Sequence, residues 1–113
     1  VFLIGSNGKF IDGKKFNNYQ DLPMVFGKFT VKKFLIFKRA LNQSGYNYDD
    51  IKEIFFFPSG RIDIKNKNEI IIKLPIQNVN DALNIAKKVM NNEKFKRNVI
   101  DLRVPNQLIL SNE

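Results

Sequence analysis

The segment NVIDLRVPNQLIL, residues 98–110, decides how we expect the C-terminal part of the chain to fold. Its first half alternates as a β-strand requires, because successive side chains of a strand point to opposite faces. Val99 and Asp101 then lie on one face, and Ile100 and Leu102 lie on the other. The pattern predicts a strand with one fully apolar face.

The second half of the segment follows a break at Pro105. Proline has no backbone N–H and is not found in the middle of a sheet. We therefore expect residues 107–111 to form a short strand at the edge of the sheet. This strand is apolar over residues 108–110. An uncovered apolar edge strand is either an aggregation hazard or a docking surface, and we favour docking.

The composition restricts what the chain can do. It has 113 residues and neither Cys nor His, so we expect one domain, residues 1–113, without disulfides and without thiolate or imidazole metal ligands. No stretch is long and apolar enough to span a bilayer, and no signal peptide is visible. The sequence begins at Val1, inside an apolar run and without an initiator methionine. We expect a fragment of a longer protein.

The formal net charge of +8 allows two interpretations. A basic chain can bind nucleic acid or an anionic membrane, or its lysines can simply solvate the surface. The lysines occur in ones and twos, and no Arg-rich stripe or Gly-rich basic loop is present. Specific recognition of bases depends strongly on arginine. We favour the solvated surface and keep a basic nucleic-acid-binding domain as the alternative function.

Hydrophobic periodicity and turn residues predict an α+β domain. The elements are, in order, a hairpin with its turn at Asn7-Gly8, a helix that Thr30 caps and Gly45 ends, a meander over residues 51–74, a helix capped by Asn78 or Asn80, and the C-terminal strands. Simple alternation places Ile51, Glu53, Phe55 and Phe57 on the same face of the first meander strand. We expect a largely antiparallel, curved sheet with two helices packed on one face.

The sequence offers little catalytic chemistry. Asp49 and Asp50 are adjacent and cannot face one another on a regular element, and residues 6–9 lack the spaced glycines of a phosphate loop. Asp101 could act as a lone base, but Arg103, two residues on, is the simpler partner for it. We predict no enzyme, no cofactor, no metal site and no small-molecule substrate.

Several motifs resemble, in order and spacing, the C-terminal periplasmic β domain of the FtsQ/DivIB cell-division family. They are Leu22-Pro23 with Gly27, the hairpin over residues 51–65 with Pro58-Ser59-Gly60, Leu74-Pro75, Asp81-Ala82-Leu83, and Ile100-Asp101-Leu102-Arg103 followed by Val104-Pro105-Asn106. The last string is similar to the family's "iDLR" motif and, with its proline, to the form found in the alphaproteobacterial branch. The resemblance extends over nearly the whole chain.

The resemblance implies a full-length protein with a short cytoplasmic tail, one transmembrane helix, a POTRA domain, and this domain on the periplasmic face of the inner membrane. Such a protein is a non-enzymatic scaffold that joins FtsB and FtsL to the division machinery. In the family, FtsB adds a strand to the last strand of the domain and places a carboxylate near the arginine of the motif. No nucleic acid is expected as a partner.

Carried onto this chain, the resemblance implies a partner-binding site at the C-terminal strand. Arg103 is the expected charged anchor, Val104, Leu108 and Leu110 are apolar contacts, and Asn106 and Gln107 lie on the edge to which the partner strand adds. The alternatives are that Arg103 only pairs with Asp101 and that Leu108 or Leu110 is buried in the core. Val104 stands where an aromatic residue is common, and no Trp follows the last strand, which implies a smaller or differently tuned interface.

Overall fold

The computed structural model describes residues 2–4, 10–12, 23–92, 94–104 and 107–112, with only the backbone for the first two ranges. Eight strands and two helices lie in these ranges: β1 Phe2–Ile4, β2 Phe10–Asp12, β3 Met24–Gly27, α1 Val31–Ser44, β4 Ile51–Phe56, β5 Ile62–Asn66, β6 Ile71–Lys73, α2 Val79–Met90, β7 Val99–Asp101 and β8 Ile109–Ser111. The predicted turn at Asn7-Gly8, Leu22, Pro105 and Asn106 lie outside the described residues. Within these ranges neither helix has the length and apolarity needed to cross a membrane.

The described strands form one sheet in the order β2-β1-β3-β4-β5-β6-β7-β8. Five of the neighbouring pairs are antiparallel, while β3 with β4 and β6 with β7 are parallel. Each parallel pair is joined by one of the helices, as parallel neighbours require a crossover. The α+β prediction is confirmed, with the difference that the sheet is mixed.

The helices share one face of the sheet because the two β-α-β units have the same orientation. In both units the chain moves one strand further in the same direction along the sheet, and such crossovers are almost always right-handed. The helices consequently pack against each other, and both contribute to the single core cluster, α1 through Phe34, Phe37 and Leu41 and α2 through Ala82, Leu83 and Ala86.

An apolar row crosses the helix-covered face of the sheet. Val25, Ile54, Ile64, Ile72 and Ile100 are cross-strand partners in five successive strands, and each is at most 1% exposed. Cross-strand pairs of this kind are the main source of side-chain stabilisation in a sheet. The row fixes the register of the strands, since a shift by one residue would turn every one of these side chains to solvent.

Both ends of α1 agree with the sequence. The hydroxyl of Thr30 accepts a hydrogen bond of 3.1 Å from the backbone N–H of Lys33, and Gly45 ends α1 with a φ of 74°. Lys87 lies in the last turn of α2, and its ammonium donates to the carbonyl of Ser44 at 3.2 Å. Asn78 precedes α2 but has a φ of 59° and makes no capping bond through its side chain.

The predicted faces of the first meander strand are wrong at Ile51. Ile51 is 1% exposed and lies on the same side as the buried Ile54 and Phe56. The pairing of β4 with β5 shifts between Ile51 and Glu53. A bulge adds one residue to a strand and reverses the alternation at that point, so simple period-two counting fails there.

Candidate partner-binding site

The last strand, β8, lies at the edge of the sheet. It pairs antiparallel with β7 through Val99 with Ser111, Ile100 with Leu110, and Asp101 with Ile109. Within the described ranges no strand lies on its other side. The predicted edge strand is confirmed, although it begins at Ile109 rather than at residue 107. Its outward backbone groups therefore present a template for an added strand.

The side chains of residues 108–110, at the start of β8 and just before it, are apolar and exposed. Leu110 pairs with Ile100 and thus continues the buried apolar row, yet it is 40% exposed. Ile109 points to the opposite face and is 49% exposed, and Leu108 is 45% exposed. The alternative of core burial for Leu108 or Leu110 is wrong, because both side chains are exposed. Contiguous exposed apolar side chains usually mark an interaction site.

Arg103 and Asp101 form a bidentate ion pair beside this edge. The Nε of Arg103 donates to Oδ1 and Oδ2 of Asp101 at 2.9 and 3.1 Å, and its Nη2 donates to Oδ2 at 2.7 Å. The backbone N–H of Arg103 also donates to Oδ1 at 3.0 Å. These hydrogen bonds lower the pKa of Asp101 and raise that of Arg103. The predicted pairing is confirmed, and it fixes the direction in which the guanidinium points.

A charged row continues from this pair across the open face of the sheet. Asp63, Lys73 and Asp101 are cross-strand partners in β5, β6 and β7, and Ile109 is the next partner in β8. Arg61 pairs with Asp63 and lies 4.2 Å from the ring centroid of Phe57. Burial raises the pKa of Asp63, and the nearby Arg61 opposes this effect. Charges of both signs thus alternate along the row up to the apolar edge.

A groove of about 840 Å³ runs between the start of α2 and the segment that leads into β8. Its lining includes four of the predicted contact residues, Arg103, Val104, Gln107 and Leu108. Val104 is 50% exposed, and the backbone N–H of Gln107 donates to its carbonyl at 3.1 Å, which closes a turn. The structure thus brings these four residues together, whereas Asn106 lies outside the described residues.

The opposite wall of the groove contains residues that the sequence did not single out. Ile76 and Ile85 line it and are 60% and 41% exposed. Ile85 lies away from the buried stripe of α2, which runs through Ala82, Leu83 and Ala86. The sequence could have identified Ile85 as a surface contact, because it is an isoleucine outside the apolar stripe of an amphipathic helix. Together with Leu108 and Val104, these side chains make the groove mainly apolar.

A family model for the C-terminal region of the cell division protein FtsQ/DivIB matches residues 1–103. The chain belongs to the FtsQ/DivIB family. The resemblance noted in the sequence is confirmed, and with it a role in cell division. In this family the C-terminal domain is a periplasmic domain of a membrane protein, and the family acts as a scaffold through protein–protein interactions in the divisome. No curated protein matched the chain.

The family match ends at Arg103, the last residue of the motif. It therefore covers the sheet from β1 to β7 and the guanidinium beside the edge, while β8 lies after the last matched residue. The position of β8 in the sheet is defined by its antiparallel pairing with β7. The FtsQ/DivIB framework, through β7, thus places β8 next to the ion pair of Asp101 and Arg103.

Proposed function

We propose that this FtsQ/DivIB domain is a non-enzymatic scaffold that binds an FtsB-like and FtsL-like subcomplex by adding a strand of the partner to β8. The observation that carries the proposal is that β8 is an edge strand and that Ile109 and Leu110 in it, and Leu108 just before it, are all exposed. In β-augmentation the backbone of the edge supplies affinity, and pockets for alternate side chains supply specificity. Leu110 offers the partner an extension of the buried row, and Ile109 contacts it on the open face.

Arg103 is well placed as the charged anchor. Asp101 holds its Nε and Nη2, and Nη1 forms no hydrogen bond within the described part of the chain. The side chain of Arg103 is 45% exposed, against 13% for that of Asp101. A carboxylate of the partner can approach Nη1 without displacing Asp101, because a guanidinium offers five donors in a rigid fork.

The groove supplies a second point of contact for the same partner. Its apolar lining by Ile76, Ile85, Val104 and Leu108 suits one or two aliphatic or aromatic side chains. Asp81 also lines it and can accept a hydrogen bond at the rim. A buried side-chain anchor is the usual energetic centre of an interface, so the groove adds affinity that a bare strand would lack.

We further propose that residues 1–113 are one domain of a longer protein with a POTRA domain and a single transmembrane helix, positioned on the periplasmic face of the inner membrane. This assignment is supported by the family, whose C-terminal domain is a periplasmic part of a membrane protein. Anchoring both partners to one membrane raises their effective concentration, so a moderate affinity between the isolated parts is sufficient.

The test is a titration of the domain with a peptide from the periplasmic segment of the same organism's FtsB-like protein. We expect Arg103→Glu to weaken binding at least tenfold, about 1.4 kcal/mol, because the new carboxylate would repel both Asp101 and the expected carboxylate of the partner. The matched control is Arg39→Glu, which makes the same charge change on α1 and should leave the affinity unchanged.

Binding of the peptide should persist at moderate salt. Equal loss in both variants, or binding of nonspecific DNA with a steep salt dependence and none of the peptide, would contradict the proposal.

A further inference from the structure

The outward face of α1 combines aliphatic and basic side chains. The buried stripe of the helix consists of Phe34, Phe37, Leu41 and Ser44. At 100° per residue, the direction opposite to this stripe passes through Lys32 and Arg39, with Leu35 and Ile36 on either side. Leu35 and Ile36 are 42% and 55% exposed, and Val31, one turn before Leu35, is 43% exposed. The core needs none of these three aliphatic side chains.

The charge on α1 is of one sign only. The helix VKKFLIFKRALNQS contains four basic residues and no acidic residue. Lys32 and Lys33 lie in its first turn, where the helix dipole favours acidic residues and disfavours lysine. Within the described ranges the side chains of Lys32, Lys33 and Arg39 form no ion pair or hydrogen bond, whereas the fourth, Lys38, lies 5.3 Å from the ring of Tyr48. This placement does not serve the stability of the helix.

We propose that the outward face of α1 binds the surface of an anionic phospholipid bilayer. A helix that lies in the membrane interface needs aliphatic side chains to enter the boundary of the acyl chains and cations to meet the headgroups. Val31, Leu35 and Ile36 supply the first, and Lys32 and Arg39 supply the second. A nucleic acid would use the cations but not the aliphatic side chains. The charge complementarity therefore selects a lipid surface as the occupant.

This surface is separate from the proposed partner site. The helix α1 joins β3 to β4, whereas β8 lies at the far edge of the sheet, and α2 joins the strands β6 and β7 between them. The domain can therefore lie against the bilayer through α1 while a partner strand occupies β8. Because the family's domain belongs to a membrane protein, a bilayer is always close to it.

The proposal is tested by flotation of the chain with vesicles of phosphatidylcholine alone or with added phosphatidylglycerol. We expect binding to the anionic vesicles only. Arg39→Glu should reduce the bound fraction about fivefold or more, since each basic residue near an anionic surface contributes about that factor, and Ile36→Ser should also reduce it. The matched controls, Arg103→Glu and Leu110→Ser at and beside the far edge of the sheet, should bind as the wild type does.

A second readout uses the lack of tryptophan in the chain. With Ile36→Trp, the emission of the single indole should shift to shorter wavelength on anionic vesicles, and with Leu108→Trp it should not. Circular dichroism confirms that each variant is folded. The proposal is overturned if the wild type does not float with anionic vesicles. It is also overturned if Arg39→Glu and Arg103→Glu lose binding equally, or if Ile36→Ser does not reduce binding and the emission of Ile36→Trp does not shift. In either of the latter cases binding would be a result of net charge alone.

Discussion

At the scale of single residues, the ion pair of Asp101 and Arg103 is the clearest link between sequence and site. They stand two positions apart along the chain, and this spacing was sufficient to predict that they meet. The backbone bond from Arg103 to the carboxylate adds a constraint that spacing alone does not give. Asp101 therefore orients Arg103, and the exposed part of the guanidinium keeps a defined position for a partner.

The ion pair of Asp101 and Arg103 should make the stability of the fold depend on pH under acidic conditions. Its hydrogen bonds lower the pKa of Asp101 below the ordinary value of 3.8. The folded-state pKa is thus lower than that of the unfolded chain, so the stabilisation is fully present above about pH 4 and is lost as the pH falls through the folded-state value. Carboxyl carbon NMR should give a midpoint below 3.8 for the wild type and a higher midpoint for Arg103→Gln. A wild-type midpoint at or above the ordinary value would show that the pair does not form.

Only one wall of the groove could be predicted from the sequence. Arg103, Val104, Gln107 and Leu108 were predicted as contacts, and the structure places them along one wall. Ile76, on the opposite wall, follows Pro75 in a connection that has no periodicity to interpret. Its position depends on how α2 crosses the sheet between β6 and β7, which is a tertiary property. No local pattern contains that information.

At the scale of elements, the parallel pair of β3 and β4 is the main feature that the sequence did not reveal. The order of elements predicted from the sequence contains no strand between the first hairpin and α1, yet Met24–Gly27 is a strand in register with β4. The apolar run MVF is too short to distinguish a turn from a strand. Its neighbour in the sheet follows only after the helix, so local alternation could not identify the pairing.

Gly27 makes the close approach of these two strands possible. It has a φ of 94°, and a Cβ at this position would lie 1.9 Å from the carbonyl oxygen of Phe56. We expect Gly27→Ala to lower the free energy of unfolding by about 3 kcal/mol or more, because backbone must move. Gly60 has the same φ with nothing within 4 Å of such a Cβ, so Gly60→Ala should cost only about 1–2 kcal/mol. If urea unfolding gives equal losses of free energy for the two variants, the positive φ alone determines the cost, and the contact with the carbonyl of Phe56 adds nothing at Gly27.

At the scale of the whole molecule, the α+β class and the order of the elements other than β3 were predictable, and the mixed character of the sheet was not. Turn residues and caps such as Thr30 and Gly45 determine the elements locally. The direction of neighbouring strands depends on the crossovers through α1 and α2. The shift in β4 at Ile51 likewise arises from pairing with β5.

The arrangement of the helices explains why the domain has an open edge. Both helices lie on one face because their crossovers have the same orientation, and the second crossover, through α2, ends at β7 rather than at β8. The apolar row of the core therefore extends beyond its cover, and Leu110 is its exposed end. This geometry gives the domain an incomplete core at β8 that a strand from a partner would complete.

The most direct test of strand addition at β8 is amide hydrogen exchange, followed by NMR, for the domain with and without a saturating FtsB-like periplasmic peptide. We expect the outward amides of β8, within Ile109–Ser111, to become at least tenfold more protected because they donate to the added strand. The amides of β2, at the opposite edge of the described sheet, should not change. Binding of the peptide with unchanged exchange in β8, or with new protection in β2 instead, would contradict strand addition at β8.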